Sequence, residues 1–185
     1  MDHIKIIGQI ISIIAMAFNI YSFQLKTANK VIVCQLFGGL FFSVSFFMLG
    51  MVTGGLLNVV AVMRAIVYRF KDKLHSEHIL WFLFFEALFV ASYVLTFTVF
   101  KKEFTAFNAI IELLPVIGMT ASTISFRLQS AKAIRAYGMI CSPSWLIYNI
   151  IGGSIGAIIC EVLSICSIVI GMFRHDFKKK TKESV

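Results

Sequence analysis

Long apolar stretches separated by short clusters of charge run from one end of this chain to the other. They fall at roughly 4–24, 31–50, 54–70, 78–99, 106–126, 133–150 and 153–173. A bilayer core of ~30 Å asks for about 20 apolar residues per helix, because a backbone in lipid must satisfy its own hydrogen bonds. The pattern predicts an all-α membrane protein of seven transmembrane helices. The composition agrees: 59% of residues are hydrophobic and the mean hydropathy is +0.89, outside the soluble range. We expect one membrane domain over 1–185, ending in a basic tail at 174–185.

Residues 103 apart match along one register. Ser22-Phe23-Gln24-Leu25 meets Ser125-Phe126-Arg127-Leu128, and Ala28 meets Ala131. Gly50 meets Gly153, Val59 meets Val162 and Phe70 meets Phe173, while upstream Ile7 meets Ile110 and Ile14 meets Ile117. The register predicts a repeat of three helices, 4–70 and 106–173, joined by a linker helix at 78–99. Three spans alone would invert the second copy; the linker restores its direction, giving a 3+1+3 parallel plan. Lys5, an apolar run and Ala15-Met16-Ala17 resemble a cleavable signal. We read the segment as a retained span, because it is the repeat counterpart of residues 110–124.

Charge predicts the orientation. With seven spans, one side collects Lys26, Lys30, Arg69, Lys71, Lys73, Arg127, Lys132, Arg135, Arg174, Lys178, Lys179, Lys180 and Lys182. The other holds Lys5, Lys101 and Lys102, with Arg64 inside a span. This bias places the amino terminus outside and the carboxyl terminus in the cytoplasm. The net charge of +8 is thereby a topology signal, and no nucleic-acid partner is expected. The lipid bilayer is the expected partner, and the lysine-rich tail can also touch anionic lipid.

Glycines mark the bend between the second and third spans of each copy: Gly50 and Gly54, then Gly152, Gly153 and Gly156. Both sets fit a helix-pairing spacing, which leaves a homo-oligomer open, although the turn position favours the bend. Pro115 and Pro143 occur in the second copy alone and predict kinks there. Cys34, Cys141, Cys160 and Cys166 fall inside spans without metal-site spacing, so packing explains them and no metal is expected. His3, His75, His78 and His175 lie at span ends or in loops.

Polar groups inside hydrocarbon are costly and need a partner or a water-filled cavity. Asn58 and Glu161 hold matching positions, each eight residues beyond its turn glycine, or ~12 Å along a helix. In a parallel repeat they face each other and could clasp a small polar solute or bind a proton. Gln9 and Glu112 form a second matched pair near the outer end, where a mouth-lining role competes with a merely interfacial one. Trp145 offers a stacking wall for a ligand, with Tyr148 and Asn149 at the end of the sixth span. Arg64 and Glu86, on adjacent antiparallel spans at depths that could coincide, are expected to pair and dock the linker helix. No nucleophile–base array, phosphate loop or HExxH is present, so neither an enzyme nor a cofactor is expected.

The run Glu112-Leu113-Leu114-Pro115-Val116-Ile117-Gly118, with Ser122-Thr123, Asn149, Gly153-Ser154-Ile155-Gly156 and Glu161, resembles the YgjV-type bacterial inner membrane proteins. The resemblance spans nearly the whole chain and implies a multi-pass inner-membrane location; it does not imply an activity. More distantly, the plan is similar to the PQ-loop and SWEET transporters and to the KDEL receptor. Phe23-Gln24 and Phe126-Arg127 stand where that superfamily places Pro-Gln, with both prolines missing. Asn58 matches the paired asparagine of SWEET third spans, whereas Glu161 replaces its partner. A carboxylate there argues against a plain neutral-sugar site and leaves room for a cation or proton. The leading expectation is a small-solute transporter or facilitator that rocks two triple-helix bundles. The alternative is a non-transporting membrane receptor or scaffold of the same fold.

Overall fold

Each apolar stretch becomes a helix, because within lipid only intrahelical bonds can satisfy a single segment's backbone. A computed structural model describes residues 2–22, 28–76, 78–128 and 130–174. The long helices are α1 (Asp2–Ser22), α2 (Ala28–Met48) and α3 (Val52–Arg69), then α5 (Ile79–Thr98), followed by α6 (Ala106–Leu128), α7 (Ala131–Gly152) and α8 (Ile155–Met172). A short α4 (Lys71–Leu74) lies in a segment that hydropathy reads only as a charged linker. Phe23-Gln24 and the tail beyond Arg174 lie outside the described residues.

Among the described residues, five helices are long and apolar enough to cross a membrane: α1, α3, α5, α6 and α8. The remaining two expected spans need qualification. In α2 the apolar stretch is the shorter Val33–Met48. In α7 the apolar run is broken by Arg135, Tyr137, Ser142, Ser144 and Asn149. Ser142 and Asn149 line an internal cavity. Pro115 and Pro143 sit inside α6 and α7, and each helix continues past its proline.

Two tight reversals share one backbone solution. Gly50 adopts φ 78° and Gly153 φ 73°, the left-handed region that a side chain disfavours. At the first, Met51 N–H donates to Phe46 O at 2.8 Å and Gly50 N–H to Phe47 O at 3.2 Å. At the second, Ser154 N–H donates to Asn149 O at 3.0 Å and Gly153 N–H to Ile150 O at 3.2 Å. These are paired Schellman caps, which satisfy the last carbonyls of α2 and α7.

Helix α1 packs on α2 and α8, and α6 packs on α7 and α3. Helix α2 also packs on α3, α7 on α8, and α5 against α3 and α6. Ala15, Phe46, Leu57, Phe85, Phe89 and Trp145 belong to one continuous core. The outer surface is apolar: Ile10, Val44, Val90, Ile110, Leu163 and Ile170 are all exposed. An apolar exterior around a core rich in hydroxyls and small residues suits lipid as the outer solvent.

Candidate functional site

A cavity of about 300 Å³ lies within the bundle, walled by six long helices. Helices α1 and α2 contribute Asn19, Phe42 and Phe46; α3 contributes Asn58 and Arg64. Met119 and Ser122 come from α6, while Cys141, Ser142, Trp145 and Asn149 come from α7. Ala157, Cys160, Glu161 and Ser164 on α8 complete the wall. Of the residues expected at a site, Asn58, Glu161, Trp145 and Asn149 thus share one cavity. Arg64, expected only to dock a helix, joins them.

Local geometry fixes each side chain. Asn58 Nδ2 donates to Gly54 O at 2.9 Å, one turn back, which leaves its carbonyl oxygen for other partners. Ser142 stands beside the Glu161 carboxylate. Trp145 stacks on Phe46 with centroids 6.1 Å apart and planes 14° from parallel, and Tyr148 meets both rings edge-on. Asn149 is 1% exposed, and its Oδ1 has no hydrogen-bond partner among the described residues. A buried acceptor without a donor is costly, so it marks where a ligand or water would bind.

Two expectations need correction. Gln9 does not line the cavity: its Nε2 donates to Gly153 O and its Oε1 accepts from Ile155 N–H at 3.0 Å. It clamps the α7–α8 turn onto α1, because that turn leaves a free carbonyl and a first-turn N–H within reach. Glu112 is not a mouth residue but is 1% exposed, with one oxygen bound to Lys102 Nζ and Tyr148 close by. The charges of Arg64 and Glu86 lie close enough to attract each other, and both side chains also hydrogen-bond α6. Arg64 Nη1 donates to Met119 O at 3.2 Å, to Ser122 Oγ at 2.6 Å and to Thr123 Oγ1. Glu86 Oε2 accepts from Thr120 Oγ1 at 2.7 Å.

The two ends of the bundle differ. At the end carrying the glycine turns, Tyr148 Oη accepts from Gly54 N–H at 3.0 Å and Ser12 Oγ meets Ser154 Oγ at 2.9 Å. Met51, Phe46 and Tyr148 fill the space between them. Toward the end rich in Arg and Lys, a second cavity of about 480 Å³ adjoins the first. Ser122, Cys141, Ser142 and Ser164 line both, and Ser125 and Ser167 add further hydroxyls.

Sequence reasoning missed Asn19, Phe42, Phe46 and Ser122, yet the 103-residue register of sequence matches held the signal. Ser122 lies 103 residues beyond Asn19, Trp145 beyond Phe42 and Asn149 beyond Phe46. Projecting Trp145 and Asn149 back by 103 residues would have named two of the missing wall residues.

Apolar helices around a polar internal cavity define a multi-pass helical membrane protein. The chain matches the Imp-YgjV family model, that of a bacterial inner membrane protein, over residues 6–179. It belongs to that family and is a multi-pass protein of the bacterial inner membrane. No curated protein and no solved structure matches the chain.

Proposed function

We propose that this protein carries a small polar solute across the inner membrane by rocking two triplets of helices, α1–α3 and α6–α8, about the shared cavity. The observation that carries the reading is the composition of the cavity wall. Four pairs of residues 103 apart line it together: Asn19 with Ser122, Phe42 with Trp145, Phe46 with Asn149, and Asn58 with Glu161. A site at a repeat interface is the arrangement that alternating access needs.

Helix packing supports the parallel repeat. Helix α1 crosses to α8 while α6 crosses to α3, an exchange in which the first helix of each triplet meets the third of the other. The matched caps at Gly50 and Gly153 support the same reading. The basic helix ends carrying Arg69, Arg127, Lys132 and Arg174 face the cytoplasm in this reading, with the amino terminus outside. The plan is SWEET-like, and no covalent chemistry is part of it.

A receptor or scaffold of the same fold would present a pocket from the outer side and recruit a partner at a sealed inner end. The tied glycine-turn end and the serine-lined cavity toward the basic end favour transport. Uptake into proteoliposomes across a panel of polar solutes tests the proposal, with Glu161→Gln and Asn58→Ala alongside the wild type. The expected result is saturable flux that falls in both variants. Absence of flux and of binding for every solute would refute it.

A further inference from the structure

Asn149 brings into the cavity wall a buried oxygen that nothing among the described residues satisfies. Such an acceptor gains most from a donor that a bound molecule carries in. Its neighbours on the wall offer acceptors as well. Asn58 Nδ2 donates to Gly54 O, which leaves Oδ1 to accept. Ser164 spends its hydroxyl hydrogen on Cys160 O at 2.9 Å, so its oxygen can only accept. The Glu161 carboxyl keeps an accepting oxygen whether or not it is ionised. Asn149 lies three residues before the end of α7, and Asn58 lies six residues into α3. At 1.5 Å per residue their depths below the glycine turns differ by roughly 5 Å, within the reach of one small molecule.

The same cavity has an aromatic side. Phe42 and Phe46, one turn apart on α2, have ring centroids 5.7 Å apart and planes 23° from parallel. Trp145 of α7 continues the stack from Phe46 at 6.1 Å and 14°. Near-parallel rings along one wall favour an aromatic guest, whose ring can meet theirs offset or edge-on, whereas an aliphatic guest gains burial alone. Trp145 and Asn149 stand four residues apart on α7 and share a face, which sets the open acceptor beside the rings. The kind of donor also matters. A hydroxyl brings two lone pairs with its one hydrogen and turns them toward other acceptors, while an amide N–H2 brings two hydrogens and no accepting lone pair on its nitrogen. Volume limits the size, since about 300 Å³ is the space of roughly ten waters at ~30 Å³ each.

We propose that the cavity takes a planar aromatic solute of roughly ten heavy atoms that bears an N–H2 group, with that group donating to Asn149 Oδ1 and the ring against Phe42, Phe46 and Trp145. A second donor, where the solute has one, meets Asn58 or Ser164. This rests on the cavity being the solute site of the transport reading.

The test measures equilibrium binding of radiolabelled benzamide to the purified full chain in lipid nanodiscs, with competition by two unlabelled probes matched to it in heavy-atom count. Acetophenone replaces the N–H2 group by a methyl, and cyclohexanecarboxamide replaces the aromatic ring by a saturated one. The expected result is saturable benzamide binding, with acetophenone weaker than benzamide by at least about tenfold and cyclohexanecarboxamide by at least about threefold. Asn149→Leu removes the unpartnered oxygen at similar bulk, so its thermal unfolding should stay at the wild-type temperature or above while the lead of benzamide over acetophenone vanishes. Should that variant fail to fold, the wild-type competition decides alone. If acetophenone or cyclohexanecarboxamide competes as well as benzamide, or the lead survives in folded Asn149→Leu, the proposal falls and the transport reading stands. If benzamide does not bind, the proposal falls as well, and the uptake panel then separates the two: flux of another solute keeps the transport reading, and absence of all flux overturns both.

Discussion

Gly156→Ala tests the crossing of α1 and α8 on which the cavity depends. A Cβ at residue 156 would land on the backbone carbonyl oxygen and the hydroxyl of Ser12. Backbone cannot rotate away as a flexible side chain can, so one helix must shift. The shift strains the Ser12–Ser154 bond and both arms of the Gln9 clamp. Overpacking a close contact costs about 1–3 kcal/mol, and losing one internal hydrogen bond adds about 1 kcal/mol, so the sum is roughly 2–4 kcal/mol. Gly50→Ala is the control, because a Cβ there meets nothing within 4 Å and carries only the left-handed backbone penalty of about 1–2 kcal/mol. Equilibrium unfolding of both variants in mixed micelles reads the difference directly. If Gly156→Ala costs no more than Gly50→Ala, α1 and α8 do not meet at Ser12 and the walls of the cavity are wrongly placed.

Gly153→Ala should destabilise as much as Gly50→Ala in the same unfolding assay, about 1–2 kcal/mol, because both residues close the same cap at φ near 75°. Tyr148→Phe leaves the first-turn N–H of Gly54 without its acceptor and should cost about 1–3 kcal/mol in that assay. Lys102→Met strands the buried Glu112 carboxylate and should cost about 3 kcal/mol; adding Glu112→Gln should recover most of it, measured as a double-mutant cycle.

Hydropathy reports depth in the membrane but not direction around a helix, and that division explains what the sequence could reveal. Helix positions were legible because apolar runs of span length have one solution in lipid. The turns were legible because Gly50 and Gly153 stand where the backbone must reverse with positive φ. Asn58, Glu161, Trp145 and Asn149 were legible as interior groups, since polar atoms in a span must avoid lipid. Arg64 and Glu86 share adjacent spans, so depth alone suggested a pair. Which neighbour a side chain hydrogen-bonds depends on azimuth, and azimuth sends hydrogen bonds of both to hydroxyls of α6 while their charges still attract each other. Gln9 and Glu112 failed for the same reason: nearness to a helix end suggested water, but a turn and a lysine occupy the places beside them.

The ties at the glycine-turn end also bound the energy of the proposed motion. Between the triplets run two Gln9 bonds, the Ser12–Ser154 bond and the Tyr148–Gly54 bond. None is a salt bridge. At a net value of about 1 kcal/mol each, opening this end costs roughly 4 kcal/mol before any new contacts form. A ligand shifts such an equilibrium only by its difference in affinity for the two states, and an inversion of the populations needs about 5.5 kcal/mol. Four neutral bonds are therefore of a size that binding in the cavity can offset. The Lys102–Glu112 ion pair, by contrast, joins the α5–α6 connection to α6 and does not cross between the triplets. The proposed rocking would leave it intact, so its strength would stabilise one triplet without adding a barrier to that motion.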